Sequence, residues 1–144
     1  MTVEKLTAAH LPAVADIEAL CFADPWSEKA LGFLITDGAY GAVCLQNGRV
    51  MAYGGILWAP DEGQITNIAV HPKARRQGFG RAVLNALIRD AKERDLEQIA
   101  LEVRASNEAA IGLYEKAGFF VAGRRKNFYK NPAEDALVML KSLK

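Results

Sequence analysis

The sequence predicts an α/β (α+β) fold, in which a mixed, mostly antiparallel central sheet of about seven strands is flanked by four helices in the order βααβββαβαββ. Three observations predict it. Apolar residues recur at helical spacing in some segments, and strand-forming residues fill the others. Asn47-Gly48 separates two strand-like runs, which is typical of a hairpin turn. A glycine loop joins a strand to a helix, which indicates an α/β crossover.

The first half of the chain is predicted to hold a short strand, two helices and an antiparallel group. Val3 to Leu6 forms the strand, and apolar spacing indicates a helix from Ala8 to Cys21. Pro25 ends that helix, and a second one runs from Ser27 to Ile35. Pro60-Asp61-Glu62-Gly63 is a turn within the antiparallel group. The strands of that group are Ala39 to Leu45, Val50 to Trp58 and Gln64 to Val70.

The second half is predicted to alternate helices and strands before two closing strands. A helix runs from Phe79 to Arg94 with its apolar residues on one face, and the strand Ile99 to Val103 follows. A further helix begins at Asn107 and is ended by Gly118. The closing strands are Phe119 to Ala122 and Ala136 to Leu140.

Composition favours one globular domain over residues 1–144. The chain is 51% apolar and 24% charged, and its net charge of +1 gives no field that favours nucleic acid or a membrane. Cys21 and Cys44 lack ligand spacing, so no metal site is predicted and both are expected to be small buried hydrophobes in a reducing compartment. No apolar stretch is long enough to span a bilayer and the N-terminus lacks a signal-peptide layout, so we expect a cytoplasmic protein.

The most informative motif is the loop Arg75-Arg76-Gln77-Gly78-Phe79-Gly80, which is followed by Arg81. The first amides of a helix have no intrahelical partner, and glycines let a phosphate approach them. The motif is neither a Walker loop nor GxGxxG, since position 83 is Val. Taken alone, it indicates an anion at a helix start, or a tight turn into the helix.

This loop resembles the pyrophosphate signature of the GCN5-related N-acetyltransferase (GNAT) family. Thr66 to Val70 is similar to the family strand that pairs with the pantetheine arm, and Asn107 to Gly118 is similar to its second cofactor motif. The resemblance implies the GNAT fold and acetyl-CoA as cofactor. It implies cofactor contacts from Ile68, Ala69, Val70, Arg75, Arg76, Gln77, Gly78, Phe79, Gly80, Arg81, Asn107 and Tyr114.

Other segments resemble the bacterial ribosomal-protein-alanine N-acetyltransferase branch of that family. They are Pro25-Trp26-Ser27, Leu101 to Asn107, and Arg125 to Tyr129 followed by Glu134-Asp135-Ala136. The resemblance implies acetylation of an N-terminal alanine, that of small-subunit ribosomal protein eighteen. Two alternatives stay open: a GNAT enzyme for a small amine such as a polyamine or an aminoglycoside, and a CoA-binding regulator without activity.

Two residues are candidates for proton transfer. Glu102 lies on the face of its strand opposite Leu101 and Val103, and we expect it to be the general base, with its pKa raised by desolvation. Tyr114 lies two helical turns after Asn107 and is the candidate acid, provided that its transfer is concerted or its pKa is lowered. Asn107 is also expected to be the N-cap. By residue type alone, a surface glutamate and a half-buried tyrosine fit equally well.

The remaining expectations concern the acceptor. Neither cysteine has a nucleophile setting, so direct attack in a ternary complex is expected. The resemblance implies an oxyanion donor among the amides of Ile68 to Val70. The candidate acceptor-binding residues are Trp26, Asn67, Tyr129 and Asp135. The expected partner is the N-terminal peptide of a ribosomal protein, bound by a monomer that has no nucleic-acid or membrane partner.

Overall fold

All seven strands lie in one sheet, in the spatial order β1-β2-β3-β4-β5-β7-β6. A computed structural model describes residues 1–144. Every pairing is antiparallel except that of β4 with β5. The strands are β1 (Thr2–Lys5), β2 (Ala39–Gln46), β3 (Arg49–Trp58), β4 (Glu62–Val70), β5 (Gln98–Arg104), β6 (Phe120–Tyr129) and β7 (Glu134–Ser142). The helices are α1 (Leu11–Cys21), α2 (Glu28–Leu31), α3 (Phe79–Glu93) and α4 (Glu108–Lys116).

The predicted element order and the mixed sheet are confirmed, and the differences have local causes. The residues before Leu11 form a 3-10 turn, since Pro12 is suited to the first turn of an α-helix. The second predicted helix is a single α turn followed by 3-10 structure over Gly32–Ile35. β4 begins at Glu62, inside the predicted turn, because Glu62 pairs with β5.

The largest difference is β6, which extends to Tyr129 and not to Ala122. β6 is an edge strand whose residues are exposed up to Phe128, so its sequence carries no alternation of apolar and polar residues. Arg124-Arg125-Lys126 therefore lies within the strand.

Two apolar clusters cover the two faces of the sheet. The larger one packs α3 and α4 on one face, and the smaller one packs α1 and α2 on the other. Gly54 and Gly55 allow this close packing, because an added Cβ atom would lie 2.7 Å from Val83 at Gly54 and would overlap the Leu34 side chain at Gly55. None of the four helices combines the length and the apolar character that a membrane-spanning segment needs.

The sheet opens between β4 and β5. Glu62–Gln64 of β4 pair with Gln98–Ala100 of β5. Beyond these residues both strands continue without pairing to each other. Thr66 is an extra residue in β4 relative to β3, which is a β-bulge, and bulges bend a strand. The second half of β4 therefore pairs with β3 alone and leaves a gap towards β5, which we call the β4–β5 gap.

Candidate active site

The start of α3 offers three free backbone donors. Gly78, the N-cap, has φ 89° in the left-handed region and provides no side chain, and the first helical bond runs from the Ala82 amide to Gly78. The amides of Phe79, Gly80 and Arg81 consequently have no partner within the protein. The positive end of the helix dipole adds to their attraction for an anion.

Cationic side chains surround these amides. Arg75, Arg76 and Arg81 are exposed, and none of them forms an ion pair with a carboxylate. Gln77 is also exposed, whereas the ring of Phe79 is buried in the core, so only its main chain is available to a ligand. A diphosphate fits this arrangement of amides and guanidinium groups.

The β4–β5 gap continues from this anion site. Between Thr66 and Val70, the backbone groups of β4 that face β5 have no strand partner, as a site for an extended polar ligand requires. Ala69 is buried against α1, so it offers only its main chain, while Ile68 and Val70 pack towards α3. Across the gap, Asn107 caps α4 by accepting a hydrogen bond from the Ala110 amide at 3.1 Å.

Glu102 projects from β5 at this gap, on the face away from the α3 cluster. Its neighbours Leu101 and Val103 are buried in that cluster, and the Glu102 side chain is 21% exposed. Gln64 Nε2 donates to Oε1 at 3.0 Å, and Arg125 Nε lies 3.3 Å from Oε2. Both partners are donors, so they suit the unprotonated carboxylate that a general base requires.

Tyr114 is more buried than the sequence indicates, at 6% exposure, and its ring lies 5.7 Å from that of Phe119. Its hydroxyl makes no hydrogen bond within the protein. Every fully buried side-chain polar atom has a hydrogen-bond partner, so this hydroxyl is not fully buried and contacts solvent. Burial, and next the neighbouring Tyr129, raises the pKa of Tyr114. Of the two options left by the sequence, a lowered pKa is therefore wrong for the ligand-free site, and a concerted transfer remains.

The hairpin of β6 and β7 is fixed by ion pairs at the far end of β5. Arg104 donates to Glu134 at 3.2 Å and to two carbonyls of the turn, and its guanidinium lies 4.5 Å from the centre of the Tyr129 ring. The hydrogen bond from Ser106 and the charge of Arg104 lower the pKa of Glu134. Burial chiefly raises the pKa of Tyr129.

Asp135 is engaged within the same hairpin. Its two oxygens accept from the Asn127 amide and from Arg124, both at 2.9 Å, and these bonds lower its pKa. The sequence analysis names Asp135 as a candidate acceptor-binding residue. As placed, its carboxylate is used to shape the hairpin and is not free for an acceptor.

The loop between α1 and α2 forms the other border of the site. Trp26 is 49% exposed, with its ring 4.8 Å from that of Phe33. Asn131 in the β6–β7 turn donates to Asp24 in this loop at 3.0 Å, so the two loops are joined. Residues that are distant in the sequence thus border one side of the site.

Glu18 was not predicted from the sequence to belong to the site, and it is only 2% exposed. Its carboxylate accepts hydrogen bonds from the Trp26 amide and from the side chains of Tyr53 and Asn67. A signal was present, because Glu18 continues the apolar spacing of Leu11 and Val14 and therefore lies on the buried face of α1. No cluster of His, Cys, Asp and Glu is arranged to hold a metal ion.

Known proteins are similar to this chain in sequence and in architecture. The acetyltransferase (GNAT) family matches residues 11–119. The ribosomal protein bS18-alanine N-acetyltransferase of Escherichia coli K12 is 41% identical over 140 residues, which are 96% of this chain and 95% of that protein. The crystal structure of the Escherichia coli ribosomal-protein-S18-alanine N-acetyltransferase is 39% identical and superposes with a TM-score of 0.92, over 99% of this chain and 94% of that one. A GNAT acetyltransferase from Elizabethkingia anophelis with acetyl-CoA bound is 25% identical, with a TM-score of 0.82 over 99% and 97% of the two chains.

Proposed function

Because the chain belongs to the GNAT acetyltransferase family, we propose that it transfers the acetyl group of acetyl-CoA to the N-terminal alanine of a ribosomal protein, bS18. The observation that supports this proposal is the β4–β5 gap, which lies between the start of α3, where Gly80 is beside Val70, and Glu102, which bonds Gln64 of β4. A regulator without activity needs only the anion site. The two proton-transfer groups at the gap favour an enzyme.

The chain's own residues fit the cofactor. The Phe79, Gly80 and Arg81 amides bind its diphosphate, and Arg75 and Arg76 add positive charge. The unpaired backbone of β4 would hold the pantetheine arm, and a β4 amide among Ile68 to Val70 would donate to the thioester oxygen. When bound, acetyl-CoA supplies the activated acetyl thioester.

Glu102 accepts the proton of the incoming ammonium, directly or through a water. An N-terminal amine has a pKa near 8 and a lysine near 10.4, so deprotonation of the N-terminal amine costs about 3 kcal/mol less. The neutral amine would then attack the thioester carbon, and the C–N bond would form as the C–S bond breaks. The nitrogen would lose its second proton to solvent, and Tyr114 would regain from solvent the proton that it gives to sulfur. A partly solvated carboxylate therefore serves an α-amine better than a lysine.

Tyr114 supplies a proton to the departing sulfur. Because burial raises its pKa, the phenol stays protonated at neutral pH, and complete donation before the C–S bond breaks is unfavourable. The proton consequently moves as charge develops on sulfur. The hydroxyl has no competing partner within the protein and is not completely buried, which suits that role.

The acceptor enters from the side bordered by Trp26, Asn67 and Tyr129. Asp135 acts indirectly in this proposal, by shaping the hairpin that holds Tyr129. We further propose that the protein acts as a monomer in the cytoplasm, where newly made ribosomal protein is available. A balanced net charge of +1 is consistent with a peptide partner and not with nucleic acid or a membrane.

A mass-spectrometric assay tests the proposal. The protein is incubated with acetyl-CoA and a peptide that carries the N-terminus of bS18, and matched samples contain the same peptide with a blocked α-amine, spermidine, or an aminoglycoside. The proposal predicts one acetyl group on the free N-terminus and none on the blocked peptide. Transfer to the small amines with an unmodified peptide would favour the alternative substrate class. Absence of transfer to every amine would contradict an enzymatic role.

A further inference from the structure

Glu18 is a buried carboxylate without a cationic partner. None of the ion pairs of the protein includes it, and all three of its hydrogen-bond donors are neutral. Burying a charge is costly unless it is well satisfied, and an apolar residue would fill this position of α1 at a lower cost. Such a residue is retained where its chemistry serves a purpose, and two of its partners, Asn67 and Trp26, border the acceptor site.

We propose that Glu18 is a positioning residue, which orients the Asn67 amide so that its oxygen accepts a hydrogen bond from the acceptor amine. The inference rests on the proposed function, since it assigns a role within the same acceptor site.

The carboxylate fixes the orientation of the Asn67 amide. Asn67 Nδ2 lies 3.0 Å from Glu18 Oε1 and 2.6 Å from the Tyr53 hydroxyl. Tyr53 in turn donates to the same Glu18 oxygen, so its hydroxyl is left as an acceptor for Asn67. Rotation of the amide by 180° would place two acceptors, Asn67 Oδ1 and the carboxylate, in contact. Both Asn67 protons are therefore used within the network.

The amide oxygen is left available on the other side. Thr66 Oγ1 lies 3.1 Å from Asn67 Oδ1 and 3.2 Å from the Gly55 carbonyl, and its single proton serves one of them at a time. Asn67 Oδ1 thus keeps at least one free lone pair. Asn67 is partly exposed and follows the bulge at the edge of the β4–β5 gap.

Asn67 and Glu102 lie on the same face of the sheet, on opposite sides of the gap. Asn67 contacts α1 on that face, and Glu102 points away from the α3 cluster and bonds Gln64 of β4. A neutral primary amine has two N–H bonds and one lone pair. When Asn67 Oδ1 accepts one N–H on one side and Glu102 faces the other, the lone pair points between them, towards the thioester.

A purely structural role for Glu18 predicts different kinetics. Loss of a stabilising network lowers the melting temperature but leaves the KM for the acceptor unchanged in the molecules that remain folded. If Glu18 orients Asn67, its replacement raises the KM for the acceptor. That rise should occur only while the Asn67 side chain is present. The two roles therefore separate in a double-mutant cycle.

The experiment measures kcat and both KM values for wild type, Glu18→Gln, Asn67→Ala and the double variant, with the bS18 N-terminal peptide as acceptor. The glutamine of the first variant has one acceptor oxygen where the carboxylate has two, so it cannot accept from the Trp26 amide and from the Tyr53–Asn67 pair together, and the hold on the Asn67 amide is weakened. We expect a KM for the acceptor raised about five- to tenfold in Glu18→Gln, which is the loss of one hydrogen bond. The double variant should match Asn67→Ala alone, with the KM for acetyl-CoA unchanged.

Val14→Ala is the matched control, because Val14 is fully buried on the same face of α1 and takes no part in the hydrogen-bond network of Glu18 and Asn67. It should lower the melting temperature without a change in the KM for the acceptor. Should Glu18→Gln fold poorly, Tyr53→Phe takes its place in the same cycle. The inference would be overturned if the rise in the KM for the acceptor in the double variant were the product of the rises in the two single variants. It would also be overturned if Val14→Ala raised this KM as much as Glu18→Gln does. An inactive wild type would instead overturn the proposed function.

Discussion

The cofactor side and the acceptor side of the gap are built in different ways. The cofactor side uses main-chain amides and cations from one short segment, Arg75 to Arg81. The acceptor side uses side chains that are far apart in the sequence, such as Asp24 with Asn131, 107 residues away, and Glu18 with Asn67, 49 residues away. A local motif thus indicates the cofactor, whereas the acceptor site emerges only when the fold brings its parts together.

The largest expected effect lies where the two sides meet, at Glu102. Glu102→Gln keeps the shape of the side chain but removes the base, so kcat should fall by about 100- to 10,000-fold. The KM for acetyl-CoA should stay within about twofold, because the diphosphate site is untouched. Steady-state kinetics with both substrates varied checks this, and wild-type turnover in the variant would remove Glu102 from the mechanism.

A smaller loss of about 10- to 100-fold in kcat is expected for Tyr114→Phe, as general-acid catalysis is removed. The melting temperature should hardly change, since the hydroxyl makes no hydrogen bond within the protein. Thermal unfolding and turnover of the same preparation separate these effects. If the melting temperature and kcat of the variant fell together, Tyr114 would be a core residue only.

The raised pKa of Tyr114 also predicts a pH profile. A phenol with a raised pKa stays protonated above its ordinary value of 10, so its ionisation should cause no loss of activity between pH 8 and 10. The wild-type rate and that of Tyr114→Phe should keep a constant ratio over that range. A ratio that falls towards one below pH 9 would show that the site lowers this pKa.

On the cofactor side alone, Gly78→Ala is expected to raise the KM for acetyl-CoA about tenfold. An alanine at φ 89° costs about 1–2 kcal/mol and displaces the amides that follow. Gly38→Ala is the matched control, since Gly38 has φ 85° and open space but lies before Ala39, at the end of β2 opposite the β2–β3 hairpin. It should lose similar stability with an unchanged KM, and equal KM values in the two variants would contradict the assignment of the loop.

The smallest effect is expected on the acceptor side, for Asp24→Ala. This substitution removes the exposed hydrogen bond from Asn131 that joins the two loops, and exposed contacts contribute little to stability. The KM for the acceptor peptide should rise about two- to threefold, without a change in that for acetyl-CoA. A change in the KM for acetyl-CoA instead would show that the cofactor side and the acceptor side are not separate.

Much of the fold was predictable because its signals are local. Asn47-Gly48 adopts the two positive φ angles that a tight hairpin requires, and Gly118 ends α4 at φ 98°. The extent of β6 was not predictable, since an exposed edge strand carries no alternation. Length and turn chemistry alone do not define such a strand.

The candidate site divides in the same way. The free amides after Gly78 follow from a glycine at a helix start, and the face of Glu102 follows from strand alternation. The burial of Tyr114 and the internal partners of Asp135 depend on packing between distant elements. Glu18 was missed because an acidic residue on a helix is usually solvated; its place in the apolar spacing of α1 indicates burial, but its three donors are visible only in the structure.

A crystal structure with CoA bound is the most direct test of the central claim, that unpaired amides at the start of α3 hold the cofactor beside Glu102. We predict the diphosphate within hydrogen-bond distance of the Phe79, Gly80 and Arg81 amides, with the thiol end in the β4–β5 gap near Tyr114. A diphosphate bound elsewhere, or a thiol outside that gap, would contradict the account.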